Sequence, residues 1–381
     1  MRIAHVSDFY LPRQGGIEMH IKDLAARQQA AGHTVEVITS SPRSAATRGS
    51  AECVDGVRVH RVTEHALPMS TYHPSGLIAG RRIIRHGGYD VVHAHMSLAS
   101  PLSFAVAGAA ASWAMPLVVT AHSMADRAEP LFRALDSPLR WSSWPAAWTA
   151  VSAVAAQPLR RLVGPERPVY VLPNGIDASF WRVEPVERSP DEVVVAAVMR
   201  LARRKRALPL LRILREARRR LDPAIGLRAV IVGDGAERAS LQRYLDRHDM
   251  SGWVSLPGHW PRERIRALLG RADIFVAPAT LETFGIAALE ARCAGVPVLA
   301  RGQGGIAEFV THGREGLLAD TDDAMVSALA RLAADPHQRA KMAAHNRSTV
   351  PPLTWDDVLV RADEVYGEAI RLASRRPIPV S

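Results

Sequence analysis

Cysteine is nearly absent from this chain of 381 residues, which contains only Cys53 and Cys293. We predict that both lie in core or core-edge segments, and neither belongs to a C-x-x-C pair. The sequence therefore argues against a disulfide framework and favours a reducing, cytoplasmic compartment. The chain also opens directly on a predicted strand, "RIAHVS", so we expect no secretory signal.

Long uncharged stretches are equally scarce. One stretch has the length of a membrane span, residues 97–119, "SLASPLSFAVAGAAASWAMPLVV". Ala, Gly and Ser dominate it and Pro116 divides it, so we predict a buried helix followed by a strand.

Lysine is also rare, because it occurs only at positions 22, 205 and 341 and arginine supplies the other 45 of the 48 basic residues. This bias is typical of a GC-rich genome, and it leaves a net charge of +10. Arginines cluster at 81, 82 and 85 and at 212, 215, 218, 219 and 220. The clusters indicate either solvated helix faces or an anionic partner, such as a membrane surface or a phosphorylated substrate. No nucleic-acid-binding motif accompanies them, so we expect no nucleic acid partner.

Short β-branched runs alternate with helical patterns along the whole chain, in two series. The first includes "TVEVIT", "DVVHAH" and "LVVTAH", and the second includes "EVVVAAVMR", "LRAVIVGDG" and "ADIFVAP". Continuous apolar strands separated by helices are typical of parallel sheets covered on both faces. We therefore predict an α/β protein of two doubly wound, Rossmann-like domains, 1–180 and 190–355, because periodicity fails between 177 and 192.

Ligands of such sheets bind where strands end and helices begin. At the first such point stands Gly15-Gly16, where glycine lets a phosphate or sugar approach backbone amides. The G-x-G-x-x-G dinucleotide fingerprint is missing, which lowers the expectation of a nicotinamide or flavin enzyme.

In the second series, Arg200 ends a strand and Lys205 follows in the loop. Two cations at a strand end suit a pyrophosphate, although a solvated basic loop is the alternative. Further on, "ATLETFGIAALEARCAG" carries Glu282 and Glu290 around the start of a predicted helix. The helix N-terminus can take a phosphate, Glu282 can hold sugar hydroxyls and Glu290 can accept from a ribose diol, which points to a nucleotide sugar.

Taken in order, "QGGIEMH", "LPNGID", "MRLARRK", "VGDGAE" and "ATLETFGIAALEARCAGVPVLARGQGG" with its E-x7-E pattern resemble glycosyltransferase family 4. The resemblance covers nearly the whole chain. It implies retaining enzymes of the GT-B fold, in which two Rossmann-like domains face a central cleft. "TWDDVLVRADEVYGEAI" resembles the terminal helices that cross back to the first domain in this fold, here 356–381.

The resemblance also implies roles for individual residues. Arg200 and Lys205 would clamp the diphosphate, Glu282 would orient the transferred sugar and Glu290 would bind the ribose. Backbone amides of Phe284, Gly285 and Ile286 would lie near the phosphate and sugar. Gly16 and His122 would approach the donor from the first domain, with His122 beside the reacting sugar. The sequence departs from the family at Met199 and Arg206, where glycine is usual.

We expect no cofactor and no metal, because two cations and a helix dipole can stabilise the leaving diphosphate. Asp320-Thr321-Asp322 precedes a helical segment and is typical of a helix cap. His93 and His95, two apart on one strand, could ligate a metal, but the sequence shows no third ligand nearby.

Several functions remain open at this stage. Paired carboxylates are also typical of glycoside hydrolases, although the cations between Glu282 and Glu290 favour donor binding. We predict transfer of a hexosyl unit, from GDP-mannose first and a UDP-sugar second, to a lipid or saccharide acceptor. A small soluble acceptor and a non-catalytic basic protein on membranes are the alternatives. Residues 65–80 with the nearby arginines resemble, more weakly, the membrane-facing side of bacterial phosphatidylinositol mannosyltransferases, which implies a peripheral place on the inner face of the cell membrane.

Overall fold

The computed structural model describes residues 1–13, 15–41, 52–63, 74–97, 99–123, 129–184, 186 and 192–375. It divides the chain into two compact units, residues 1–175 with 355–381 and residues 176–354. The second unit begins earlier than the sequence pattern suggests, because Ile176 forms a parallel bridge with Thr354. The amide of Ile176 also donates to the carbonyl of Leu353 at 2.9 Å.

The first unit contains eight strands among its described residues, together with six helices. The strands are β1 (Arg2–Ser7), β2 (Thr34–Thr39), β3 (Glu52–Val54), β4 (Val57–Arg61), β5 (Val91–Met96), β6 (Leu117–Ala121), β7 (Ala146–Ala150) and β8 (Val169–Val171). The helices are α1 (Gly16–Ala30), α2 (Pro74–His86), α3 (Pro101–Ser112), α4 (Glu129–Leu139), α5 (Ala153–Val163) and, after the second unit, α13 (Trp355–Ser374).

Its sheet has the order β3-β4-β2-β1-β5-β6-β7-β8, and all pairs are parallel except β3 with β4. The strands are buried apolar runs, as a sheet covered on both faces requires. Helices α1 and α13 cover one face, where Trp355 and Tyr366 of α13 join a core with Leu24 of α1 and Val118 of β6. The last helix therefore belongs to the first unit.

The second unit contains six strands and seven helices among its described residues. The strands are β9 (Glu192–Val198), β10 (Gly226–Val232), β11 (Val254–Gly258), β12 (Ile274–Ala277), β13 (Val298–Ala300) and β14 (Gly316–Leu318). The helices are α6 (Ala178–Trp181), α7 (Ala207–Arg219), α8 (Arg238–Arg247), α9 (Arg262–Leu269), α10 (Ile286–Cys293), α11 (Asp322–Ala334) and α12 (Pro336–Ser348). The sheet is parallel throughout, with the order β11-β10-β9-β12-β13-β14.

Two Rossmann-like α/β units with parallel sheets confirm the predicted fold class. The stretch 97–119 forms α3 and the start of β6, and no helix in the described part of the chain is long and apolar enough to span a bilayer. The sequence pattern missed β3 and β14, because three-residue edge strands carry too short an alternation to detect. Cys293 is buried as predicted, whereas Cys53 is exposed on the edge strand β3.

Candidate active site

The loop after β9 is shaped by two glycines in the loop that follows the neighbouring strand, β10. The amide of Leu201 donates to the carbonyl of Asp234 at 2.9 Å, so the two loops lie against each other. A Cβ on Gly233 would lie 1.8 Å from the carbonyl oxygen of Met199, and one on Gly235 would lie 2.4 Å from that of Leu201. The "VGDG" motif is therefore required for backbone contact with the loop that carries Arg200.

Arg206 occupies the position before α7 where the resemblance leads us to expect glycine. Its φ of 62° and ψ of 38° are left-handed, a conformation that glycine adopts without steric cost. Its Nη2 atom donates to both carboxylate oxygens of Asp322 at 2.7 Å, and Asp322 also pairs with Arg301. The loop therefore keeps the glycine-like turn, and the ion pair offsets part of a backbone strain of about 1–2 kcal/mol.

Lys205 and Glu282 meet beyond the carboxyl ends of β9 and β12. The Nζ atom of Lys205 lies 2.6 Å from Oε2 of Glu282, and the two side chains retain 23% and 17% exposure. Their pairing gives Glu282 a partner within the chain. A hydrogen-bonded ammonium–carboxylate pair that still reaches solvent can bind an anion through one partner and hydroxyl groups through the other.

Glu282 leads into the N-terminus of α10. Gly285 precedes this helix with a φ of 91°, and a Cβ there would lie 2.3 Å from Cγ1 of Ile306. Gly305 also donates its amide to the carbonyl of Glu282 at 2.9 Å, which ties the "GQGG" segment to this loop. The first amides of α10, beginning at Ile286, have no acceptor within the helix and mark its positive end.

The other predicted residues of this unit flank that loop. Phe284 is 5% exposed and its ring packs on Phe309, so its side chain belongs to the core and only its backbone is left for the predicted role. Glu290 lies in the second turn of α10 and is partly buried. Arg200 is partly exposed, and no salt bridge between described residues involves it. The structure thus brings Lys205, Glu282 and the start of α10 together at one edge of the sheet.

Asp320-Thr321-Asp322 caps a helix, as its position indicated. The Thr321 hydroxyl accepts from the amide of Ala324 at 3.1 Å at the N-terminus of α11. The carboxylate of Asp322 forms salt bridges with two arginines, Arg206 and Arg301.

In the first unit, Gly16 is the first residue of α1. A Cβ built on it meets no described atom within 4 Å, so packing inside the chain does not require glycine here. His122 follows β6 and is 8% exposed. Its Nε2 atom forms a hydrogen bond with Nδ1 of His95 at 2.9 Å.

His122 is one end of a buried histidine cluster that also contains His5, His20, His93 and His95. His5 lies directly beside His93 in the β1–β5 register, and His95 is two residues further on the same face. The rings of His93 and His95 stack at 4.1 Å, and His20 of α1 stacks on Trp355 at 5.7 Å. The cluster lies under α1 and α13.

Burial governs the protonation of this cluster. Desolvation lowers the pKa of His5 to about 4 and that of His122 to about 3, and it holds the pKa of each other member well below 6.5. All five rings are therefore neutral at pH 7.

The expectation that no third ligand accompanies His93 and His95 is wrong, because one nitrogen each of His5, His93 and His95 lie within 4.8 Å of one another. These nitrogens already form hydrogen bonds, however. Nδ1 of His5 lies 2.9 Å from Nε2 of His95, whereas two ligands of one tetrahedral zinc are about 3.3 Å apart. The arrangement fits a hydrogen-bonded network better than a metal centre.

Sequence reasoning missed His5 and His20 as members of this cluster, and it missed Gln28 and Tyr366 as residues that hydrogen-bond to it. His5 could have been found, because a histidine on the predicted first strand faces the H-x-H of "DVVHAH" once the two strands are neighbours. Gln28 and Tyr366 gave no signal, since they reach the cluster from helices at opposite ends of the chain.

The chain thus has two Rossmann-like units, and the second carries a lysine–glutamate pair just before a helix N-terminus. This is the arrangement expected of an enzyme that binds an anionic, hydroxyl-rich ligand. The family model described as "Glycosyltransferase Family 4" matches residues 14–180. The family model described as "Glycosyl transferases group 1" matches residues 180–349. A GDP-mannose-dependent alpha-mannosyltransferase of Mycolicibacterium smegmatis is 30% identical over 99% of this chain and 99% of its own. The chain belongs to glycosyltransferase family 4 and is a glycosyltransferase.

Other relatives have different names. A glycogen synthase of Mycobacterium tuberculosis is 30% identical over 100% of this chain and 97% of its own. A phosphatidylinositol N-acetylglucosaminyltransferase component from Arabidopsis thaliana is 28% identical, over 98% of this chain and 83% of its own. Among solved structures, Anabaena Alr3699/HepE in complex with UDP and glucose superposes with a TM-score of 0.76 at 18% identity, covering 96% of this chain and 99% of that one, which shows the shared GT-B fold.

Proposed function

We propose that this glycosyltransferase is a retaining enzyme that moves a hexosyl unit, mannose from GDP-mannose in the first instance, to a lipid or saccharide acceptor. The observation that carries the proposal is the Lys205–Glu282 pair in front of α10, at 2.6 Å. A nucleotide sugar offers a diphosphate to the cation and sugar hydroxyls to the carboxylate, so one ligand satisfies both partners.

The transfer breaks the bond between the anomeric carbon and the diphosphate oxygen, and the electron pair leaves with that oxygen. The oxygen of an acceptor hydroxyl forms the new bond to the anomeric carbon, and its proton passes to the departing phosphate oxygen. Arg200, Lys205 and the N-terminus of α10 would stabilise that negative charge, and Glu282 would hold the sugar hydroxyls. Glu290 on α10 would accept from the ribose, and the amides of Gly285 and Ile286 would contact phosphate and sugar. No metal is required in this scheme, because fixed cations and dipoles supply the positive charge.

Gly16 supports a donor role for the first unit. No described atom lies within 4 Å of a Cβ built at this position, so a ligand could approach the backbone amides closely there. His122 at the end of β6 would lie beside the transferred sugar.

The acceptor is proposed from the relatives and from surface charge. The relatives are named for phosphatidylinositol, for mannosyl transfer and for glycogen synthesis, so lipid and saccharide acceptors are both represented. Arg81, Arg82 and Arg85 are exposed on α2, which suits an anionic membrane surface. Residues 65–73 of the predicted membrane-facing stretch, 65–80, lie outside the described residues.

The test is calorimetric titration of the full chain with GDP, UDP and ADP, each with EDTA and with Mn²⁺. We expect GDP to bind most tightly and EDTA to leave its affinity unchanged. Lys205→Ala should weaken binding, whereas Lys341→Ala, which removes an exposed lysine elsewhere, should not. If UDP binds tightly and GDP weakly, the donor is a UDP-sugar and not GDP-mannose. If affinity lost with EDTA returns only with Mn²⁺, the metal-free scheme is refuted.

Retention is tested separately on the product. With GDP-α-mannose as donor, proton NMR of the first turnover products should show the α-anomer. A β-linked product would show inversion.

A further inference from the structure

The buried histidine cluster of the first unit belongs to one continuous chain of hydrogen bonds. It runs from a backbone carbonyl of β6 to His122, and each of its side chains is at most 8% exposed. A neutral imidazole has one N–H and one lone pair, and a hydroxyl has one proton to donate. The donor and acceptor in one hydrogen bond of the chain therefore determine the donor and acceptor in the next.

The chain starts at the carbonyl of Val119, which can only accept. The hydroxyl of Thr149 donates to it at 3.2 Å, so Thr149 must accept from the hydroxyl of Thr120. Thr120 has then used its proton and accepts from Nε2 of His93 at 2.7 Å. Since Nε2 of His93 carries its proton, Nδ1 accepts from the hydroxyl of Tyr366 at 3.0 Å.

The second half continues from Tyr366. Its hydroxyl has donated to His93, so it accepts from the side-chain amide nitrogen of Gln28 at 2.8 Å. The amide oxygen of Gln28 therefore faces His5 and accepts from Nε2 at 2.7 Å. Nδ1 of His5 accepts from Nε2 of His95, and Nδ1 of His95 accepts from Nε2 of His122, each at 2.9 Å.

We propose that this chain fixes His122 as its Nε2–H tautomer, with the ring lone pair on Nδ1, and that Thr149, Tyr366 and Gln28 are positioning residues for His122. The same direction assigns Nε2–H to His5, His93 and His95. The carbonyl of Val119, which can only accept, thus determines the tautomers of all four histidine rings. No link can be reversed alone, because reversal of one bond would leave two donors or two acceptors facing each other.

The consequence for the site rests on the function proposed above. If His122 lies beside the transferred sugar, its Nδ1 accepts a hydrogen bond from a hydroxyl and cannot donate to a phosphate oxygen. The tautomer itself is a property of the ligand-free chain. It can therefore be tested without any donor, and its failure is distinguishable from failure of the proposed function.

The experiment is ¹⁵N–¹H correlation NMR of the full chain with ¹⁵N-labelled histidine at neutral pH, with resonances assigned through single histidine-to-asparagine variants. The expected result is a protonated, pyrrole-type Nε2 and a pyridine-type Nδ1 for His5, His93, His95 and His122. A protonated Nδ1 on any of these four rings in the assigned wild-type spectrum would overturn the proposal.

Two variants test where the direction comes from. Thr149→Val removes the donor to Val119, and we expect His122 to become a mixture of tautomers, while the control Thr149→Ser keeps the hydroxyl and the wild-type signal. Tyr366→Phe cuts the chain in the middle. It should leave His93 as Nε2–H, anchored by Thr120, while His5, His95 and His122 lose their fixed tautomer. If His122 keeps a pure Nε2–H signal in both Thr149→Val and Tyr366→Phe, the positioning role is refuted.

Discussion

Lys205 and Glu282 stand 77 residues apart in the sequence and 2.6 Å apart in the structure, joined between the loop after β9 and the loop before α10. Their pairing holds the Lys205 cation against the glutamate that lies four residues before α10. Preorganised charge of this kind contributes to catalysis because it need not be reoriented during the reaction.

Removal of this cation should impair transfer more than folding. We expect Lys205→Ala to lower kcat about 10²-fold, as loss of a charge-stabilising donor does. The unfolding temperature should stay nearly constant, because a partly exposed ion pair contributes about 0–1 kcal/mol. Steady-state kinetics and calorimetry measure the two effects, with Lys341→Ala as the matched control. A large loss of stability with unchanged kcat would assign the pair a structural role.

Arg206 allows the cost of a left-handed residue to be separated from the value of its ion pair. Arg206→Ala loses the bond to the half-exposed Asp322, which keeps Arg301 as a partner, and retains the strained backbone, so it should lower the free energy of unfolding by about 1 kcal/mol or less. Arg206→Gly also loses the bond but relieves the backbone, and it should be about 1 kcal/mol more stable than Arg206→Ala. Urea unfolding of both variants measures the difference. Equal stability would show that this turn carries no strain.

Two glycines should respond in opposite ways to the same substitution. Gly233→Ala drives a Cβ into the Met199 carbonyl at a φ of 137°, so we expect a loss of about 3 kcal/mol or more of unfolding free energy. Gly16→Ala meets no described atom within 4 Å, so stability should be unchanged while affinity for the nucleotide sugar falls. Denaturation and donor titration of both variants provide the comparison. Unchanged donor affinity in Gly16→Ala would remove Gly16 from the donor site.

The neutral histidines make stability depend on pH in a defined window. Their pKa values are lower in the folded than in the unfolded chain, with His5 at about 4 and His122 at about 3 against about 6.5 unfolded. The unfolded chain therefore binds more protons below pH about 6.5, and stability falls as the pH is lowered toward the folded values. Each such histidine contributes a slope of up to about 1.4 kcal/mol per pH unit.

Unfolding free energies measured between pH about 6.5 and about 5 test this slope. The matched control is the same measurement on a variant in which the exposed His337, which lies outside the cluster, is changed to glutamine. A flat profile over that window would mean that the cluster is solvated or already charged.

The basic face of α2 predicts binding to anionic vesicles. The guanidinium groups of Arg81 and Arg85 lie 5.9 and 5.1 Å from the ring of Trp113, which holds two of the three charges in place. At about 1 kcal/mol for each arginine, reversal of Arg81, Arg82 and Arg85 to glutamate should weaken vesicle binding by about 10²-fold or more. The control reverses Arg212, Arg218 and Arg219 on α7. If the wild type does not sediment with anionic vesicles at low salt, the acceptor is a soluble saccharide or small metabolite.

Much of this fold could be predicted because strand and helix patterns are local. The β9 and β12 strands, the breaks around them and the E-x7-E motif are all visible in windows of about twenty residues. The pairing of Lys205 with Glu282 is not local. The sequence therefore predicts ligand contacts for both carboxylates of the motif but no partner within the chain. Which lysine reaches which glutamate depends on the order of the strands in the sheet, which sequence periodicity does not encode.

The left-handed turn at Arg206 shows a second limit. Glycine is the usual sequence signal for such a turn, and arginine hides it. The turn is held by Asp322, 116 residues away, so the compensation is visible only in three dimensions. The chain of hydrogen bonds through the histidines is likewise visible only in three dimensions, because Gln28 of α1 and Tyr366 of α13 are both part of it.

The contribution of α13 to the first unit has a consequence for synthesis on the ribosome. Trp355 and Tyr366, which complete the buried face of the first sheet, are translated after the whole of the second unit. The nascent first unit must therefore wait with that face uncovered while residues 176–354 emerge and fold. At about 5–20 residues per second, the delay is on the order of ten seconds or more, a period in which the exposed strands depend on chaperones or on transient local packing.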